Sequence, residues 1–142
     1  MPATLHINDQ PFPIGPIKLW FQYFLDDGPP HAWLDIHSHS EDARLGGVSI
    51  NCLDIGDIPE LADIVGRTLR FDGADDAAGA ELSESVFWMP GDRSLEIESL
   101  ELRFGSPEGD MLPLEIHAVC SGDDGRQGIK VHIAGEAAVK ER

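Results

Sequence analysis

Basic residues are scarce in this chain. Ten Lys and Arg stand against 26 Asp and Glu in 142 residues, a formal charge of −16. Such a surface repels nucleic acid and anionic lipid and draws basic proteins over long range. Cysteine is nearly absent: Cys52 and Cys120 make no disulfide framework, and both fall at inward strand positions, where buried free thiols are expected. Long apolar runs are missing too. The longest, residues 17–25, is about half of the roughly 20 residues that a membrane-spanning helix needs. Met1 to His6 carry no basic segment followed by an apolar one, so no secretory leader is read there and a cytoplasmic location is expected. The sequence has no G-x-S-x-G elbow and no phosphate-binding loop, which leans the reading away from an enzyme.

What the chain does have is period-two hydrophobicity. In residues 17–25, Ile17, Leu19, Phe21, Tyr23 and Leu25 form an apolar row, with Trp20 and Phe24 on the other face. A strand sends alternate side chains to opposite faces, so this run reads as a central strand with one face fully apolar. The pattern recurs at 32–39, 47–53, 68–71, 86–89, 112–120 and 129–133, with a short strand at 3–7 before an Asn8-Asp9 turn. Pro11, Pro13 and Pro16 keep the following piece extended. Between Leu95-x-Ile97 and Leu100-x-Leu102-x-Phe104 the apolar parity switches, which demands a β-bulge near Ser99. Asp57-Ile58-Pro59-Glu60, with Ile58, Leu61, Ala62, Ile64 and Val65 behind it and Gly66 as a stop, reads as a helix over 57–66. The fold class expected is mainly β: residues 1–142 form a single-domain antiparallel β-sandwich or flattened barrel of about eight or nine strands, with one short helix and a frayed charged tail at 136–142.

Three polar groupings bear on function. Asp35, His37 and His39 lie at i, i+2 and i+4 on the polar face of one strand, a spacing at which carboxylate and imidazole can hold Zn²⁺ or Fe²⁺ with open positions. Ser49 and Asn51 of the next strand share that face. His37-Ser38-His39-Ser40-Glu41 resembles the H-x-H…E motif of cupins. It departs from that motif in the early Glu, the glycine spacing and the lack of a histidine after Pro90-Gly91. That resemblance implies a metal-dependent β-sandwich. A second pair, His117 and His132, faces outward by parity and makes a mixed patch with Glu115 and Lys130, read as surface or as a pH-responsive contact. Asp26, Asp27, Asp54, Asp72, Asp75, Asp76, Asp123 and Asp124 crowd the turns, where they suit Ca²⁺ in principle but also have a backbone reason to be there.

Leu34-Asp35-Ile36-His37 is echoed by Leu114-Glu115-Ile116-His117, each followed by an Arg-x-Gly turn and another strand. The match is short enough for convergence on a half-buried strand pattern. The functional expectation is a non-enzymatic acidic binding domain that recognises a basic protein through Trp33, Asp35, His37 and Asn51. Bacterial immunity proteins that neutralise cationic toxins are similar in this general character. The alternatives are a metal site at Asp35, His37 and His39, and an assembly component whose strand edges pair between copies.

Overall fold

A computed structural model describes residues 3–25, 28–38, 45–72, 86–89, 93–122 and 125–141, and they form one mixed ten-stranded sheet. Three long strands make its backbone: β8 (Arg93–Phe104), β9 (Met111–Gly122) and β10 (Ile129–Glu141). They pair antiparallel in sequence order because each alternates apolar and polar residues over its length. Leu112, Leu114, Ile116, Ala118 and Cys120 of β9 are all buried, as their shared parity requires.

β8 and β10 each serve two different partners along one edge. The first half of β10 pairs with β1 (Thr4–Ile7), and its last residues, Ala137 to Glu141, pair parallel with β3 (Ile17–Phe24). The first half of β8 takes β7 (Val86–Met89), and its second half takes β6 (Thr68–Asp72). β3 continues through β4 (His31–Ser38) and β5 (Gly47–Gly56) to β7. The ladders therefore run from β3 through β4, β5, β7, β8, β9 and β10 back to β3, which makes a flattened barrel. The sheet as a whole is not closed. β6 and β2 (Gln10–Pro13) each end it with a free edge among the described residues. Pro11 and Pro13 remove two donors from β2, a common device against edge pairing.

The bulge expected near Ser99 is present: the β8–β9 register slips between Ile97 and Ser99, and this lets Leu95 and Ile97 share the core with Leu100, Leu102 and Phe104. A second slip lies between Leu34 and Ile36 against β5, so that burial in β5 passes from Val48 and Ile50 to Leu53. The β1–β2 turn is built on Asn8 and Asp9, both left-handed (φ 48° and 70°). The backbone N–H of Asn8 donates to the Lys130 carbonyl, and its side-chain oxygen accepts from the Lys130 N–H, which ties the turn to β10.

Four expectations change. Among the described residues, the named strands pair antiparallel except β3 with β10. The helix over 57–66 is a single 3-10 turn, Leu61–Ile64, boxed by Glu60 and Asp63 and not by Asp57. Only Ile58 and Ile64 of its expected stripe are fully buried, too little packing to stabilise several turns of α-helix. Residues 136–141 are not frayed: Ala137 is fully buried and the strand pairs through Glu141, because Ala137 and Val139 continue the inward parity of Ile129, Val131 and Ile133. The apolar row of β3 stops being core after Leu19; Phe21 and Tyr23 pack at its margin and Leu25 is 67% exposed beyond the strand. No described helix is long and apolar enough to cross a membrane.

Candidate functional site

Two outward faces of the barrel carry the chemistry-bearing side chains. The first lies over β3, β4 and β5. Since Ala32, Leu34, Ile36 and Ser38 of β4 point inward, His31, Trp33, Asp35 and His37 point out. Register places Lys18 beside His37, Trp20 beside Asp35, Gln22 beside Trp33 and Phe24 beside His31. Asp35 is only 7% exposed on this face and is engaged by its neighbours. His37 meets the Trp20 ring edge-on at 5.4 Å, and its Nδ1 lies 3.5 Å from the Ser49 hydroxyl. Asn51 Nδ2 donates to that same hydroxyl at 3.0 Å.

Toward the β3–β4 turn the face becomes aromatic. Trp33 is 37% exposed and packs on Phe24 (4.8 Å) and His31 (5.8 Å), which stack on each other at 5.3 Å. His31 Nδ1 is fixed by the Pro29 carbonyl at 3.0 Å. Trp33, Asp35, His37 and Asn51 thus share one face as expected. His39, the third residue of the expected metal set, lies outside the described residues, so of that set only Asp35 and His37 are placed, side by side on β4.

The second face lies over β1, β10, β9, β8 and β6. Cross-strand register aligns His6, His132, His117, Glu101 and Arg70 in one row across five strands. His132 and His117 stack at 4.2 Å, and His6 stacks on the other side of His132 at 6.0 Å. Glu115, one outward position before His117, lies 3.7 Å from its Nε2. Glu101 is held by Arg103 at 3.0 Å and by Arg70 at 3.5 Å. The hydrogen bond from Arg103 and the two guanidinium charges lower its carboxyl pKa. The row floors an open groove of about 560 Å³, with Asp9 and Lys130 on its rim.

Polar satisfaction fails at two points on this second face. His6 Nδ1 and His132 Nε2 are buried and have no hydrogen-bond partner. Burial lowers the His132 pKa, helped by the nearby His117 and His6 and opposed by Glu115. Sequence reasoning noticed His117, His132, Glu115 and Lys130 as a patch but missed His6. Its signal was parity, since Leu5 and Ile7 point inward and leave His6 outside.

Asp54 accepts from the Gly56 N–H at 2.9 Å in its own turn. Asp26, Asp27, Asp75, Asp76, Asp123 and Asp124 lie outside the described residues, as does the side chain of Asp72. Cys120 is a buried free thiol whose pKa is pushed up to about 12, first by burial and then by the Glu98 charge. Tested against protein-family models, curated proteins and solved structures, the chain has no match in any of the three.

Proposed function

We propose that this protein is a non-enzymatic binding domain that docks a basic protein partner through the β3–β4–β5 face. The observation that supports the reading is the ring cluster of Trp33, Phe24 and His31 at the end of a face in a chain of charge −16. Large aromatic rings left in contact with water are expensive, and Trp is the side chain most enriched among residues that dominate interface energy. The excess of acid over the whole chain selects the partner: an apolar socket rimmed by Lys and Arg, approached under electrostatic attraction. His37 and Asn51 supply directional polar contacts beside the rings, and the nearly buried Asp35 braces the face between them. Neutralisation of a cationic toxin, the immunity-protein role, is one instance of this class. Assembly through the β2 edge is less favoured, because Pro11 and Pro13 blunt it.

The test is affinity capture with the wild type and Trp33→Ala side by side, from cells that encode the protein, followed by binding measurements on the purified partner. The expected partner has a basic surface and binds Trp33→Ala at least about tenfold more weakly. Its affinity falls as salt rises from about 0.05 to 0.3 M. Recovery of no partner that depends on Trp33, or of one indifferent to salt, overturns the reading.

A further inference from the structure

We propose that Glu115, His117 and His132 form a binding site for a divalent transition-metal ion of the zinc class on the outer face of β9 and β10. The site is on a different face from Trp33 and stands or falls separately from the docking reading. Among the described residues, these three are the group whose ligand atoms converge, all lying within 4.8 Å of one another. Their backbones are already in place. His117 and His132 are directly paired across the β9–β10 ladder, and Glu115 is the preceding outward residue of β9. Donors around a tetrahedral zinc ion with bonds of about 2.0–2.1 Å sit roughly 3.3 Å apart. Closing that difference falls to the side chains, since the ladder already sets the two strands in register.

A second observation points the same way. The Nε2 of His132 is buried with no partner, and so is the Nδ1 of the adjoining His6. Buried polar nitrogens are nearly always satisfied, and each exception calls for an explanation. Three imidazoles stacked in a row, with 4.2 and 6.0 Å between successive rings, gain little from one another as polar groups. His117 and His132 make sense as two ligands of a cation, with His6 stacked beside them and outside the converging group. The donor set also narrows the metal. Two imidazoles and one carboxylate suit Zn²⁺, Fe²⁺, Ni²⁺ or Cu²⁺, whereas Ca²⁺ and Mg²⁺ prefer oxygen alone. Only three protein ligands converge, and the site opens onto the groove beside Lys130 and Asp9. One or more coordination positions therefore face solvent, as in sites that hold a metal-bound water or a small anion. The acidic shell of the molecule raises the local concentration of cations.

The experiment uses the whole protein without a polyhistidine tag, stripped with chelator and titrated with zinc chloride in a calorimeter. Cobalt(II) serves as a spectroscopic substitute. One zinc ion per chain is expected, with visible cobalt absorption bands that report the nitrogen–oxygen ligand set. Loss of a mere outer partner of a metal ligand costs roughly 10–100-fold in affinity. His117→Ala and His132→Ala should each weaken zinc binding by at least about tenfold, while His37→Ala leaves it unchanged. His132→Gln, which keeps a polar side chain, serves if the alanine variants fail to fold by circular dichroism. The proposal is overturned if wild type binds no more zinc than a protein carrying both His117→Ala and His132→Ala, or if binding survives His132→Gln, or if the loss tracks His37.

Discussion

Leu34-Asp35-Ile36-His37 on β4 and Leu114-Glu115-Ile116-His117 on β9 have almost the same sequence, the same inward leucine and isoleucine and the same outward acid and histidine. Their surroundings differ. His37 stands between Lys18 and Ser49 and leans on Trp20, and the acid before it is nearly buried. His117 stands between Glu101 and His132, and the acid before it is open to water. On the first face an indole and a short hydrogen-bonded chain surround the polar groups. On the second, ring is set against ring and two nitrogens are left over. A strand's own residues decide which way a side chain points. What that side chain can do is decided by the strands on either side.

The most forceful way to break this contrast is a crossed readout. Trp33→Ala should cost the partner complex about 2 kcal/mol or more, roughly 30-fold, and leave zinc affinity untouched. His132→Ala should do the reverse. Coupled losses in both assays, measured by calorimetry on the same preparations, would show that the faces are not independent.

A change at Gly135 should injure both faces together. It sits where β10 passes from β1 to β3, and a Cβ there would lie 2.7 Å from the Cα of Ala3. Gly135→Ala should therefore destabilise the fold by about 1–3 kcal/mol in urea unfolding, as overpacking does. An unchanged midpoint would mean that the amino-terminal strand yields freely.

Opposite signs are expected from removing one polar group on each face. Asn51→Ala deletes the bond to Ser49 and should cost about 0.5–1.5 kcal/mol. His6→Leu deletes an orphaned nitrogen and should be neutral or stabilising by up to about 1 kcal/mol. Thermal unfolding of the metal-free protein checks both.

The smallest effect concerns the reverse side of β9. The Cys120 thiol ionises near 9.0 in an unfolded chain and about 12 in the folded one. The folded state then holds the extra proton between those values, so this group's contribution to stability declines as pH rises through that window. Cys120→Ala should show a flatter alkaline stability profile than wild type. In the folded protein at pH 8, Cys120 should resist iodoacetamide in a peptide map.

Much of this architecture was legible from parity alone. The slip at Ser99 could be placed because Leu95 and Ile97 are odd and Leu100 is even, and no unbroken strand can bury both sets. The last strand was misjudged because Glu136, Lys140 and Glu141 look like a solvated tail. The small inward residues Ala137 and Val139 between them carry too weak a hydrophobic signal to be noticed. The stripe from Ile58 to Val65 has helical spacing, but spacing does not say whether a partner surface exists for it. The convergence of Glu115, His117 and His132 was half visible. Both histidines were known to be outward, but pairing residue 117 with 132 depends on hairpin register, and bringing His6 alongside depends on a contact more than a hundred positions away in the chain.

Strand β10 has one more consequence, for how the molecule comes into being. During synthesis β1, β3 and β9 emerge before it, and each waits with an unpaired edge for the segment from Ile129 to Glu141. Nothing local can substitute, since two of those three partners lie near the opposite end of the chain. Folding should accordingly be slow and late, limited by closing a large loop. An interruption of translation between Gly122 and Ile129 would release a product with three sticky borders, a natural substrate for chaperones.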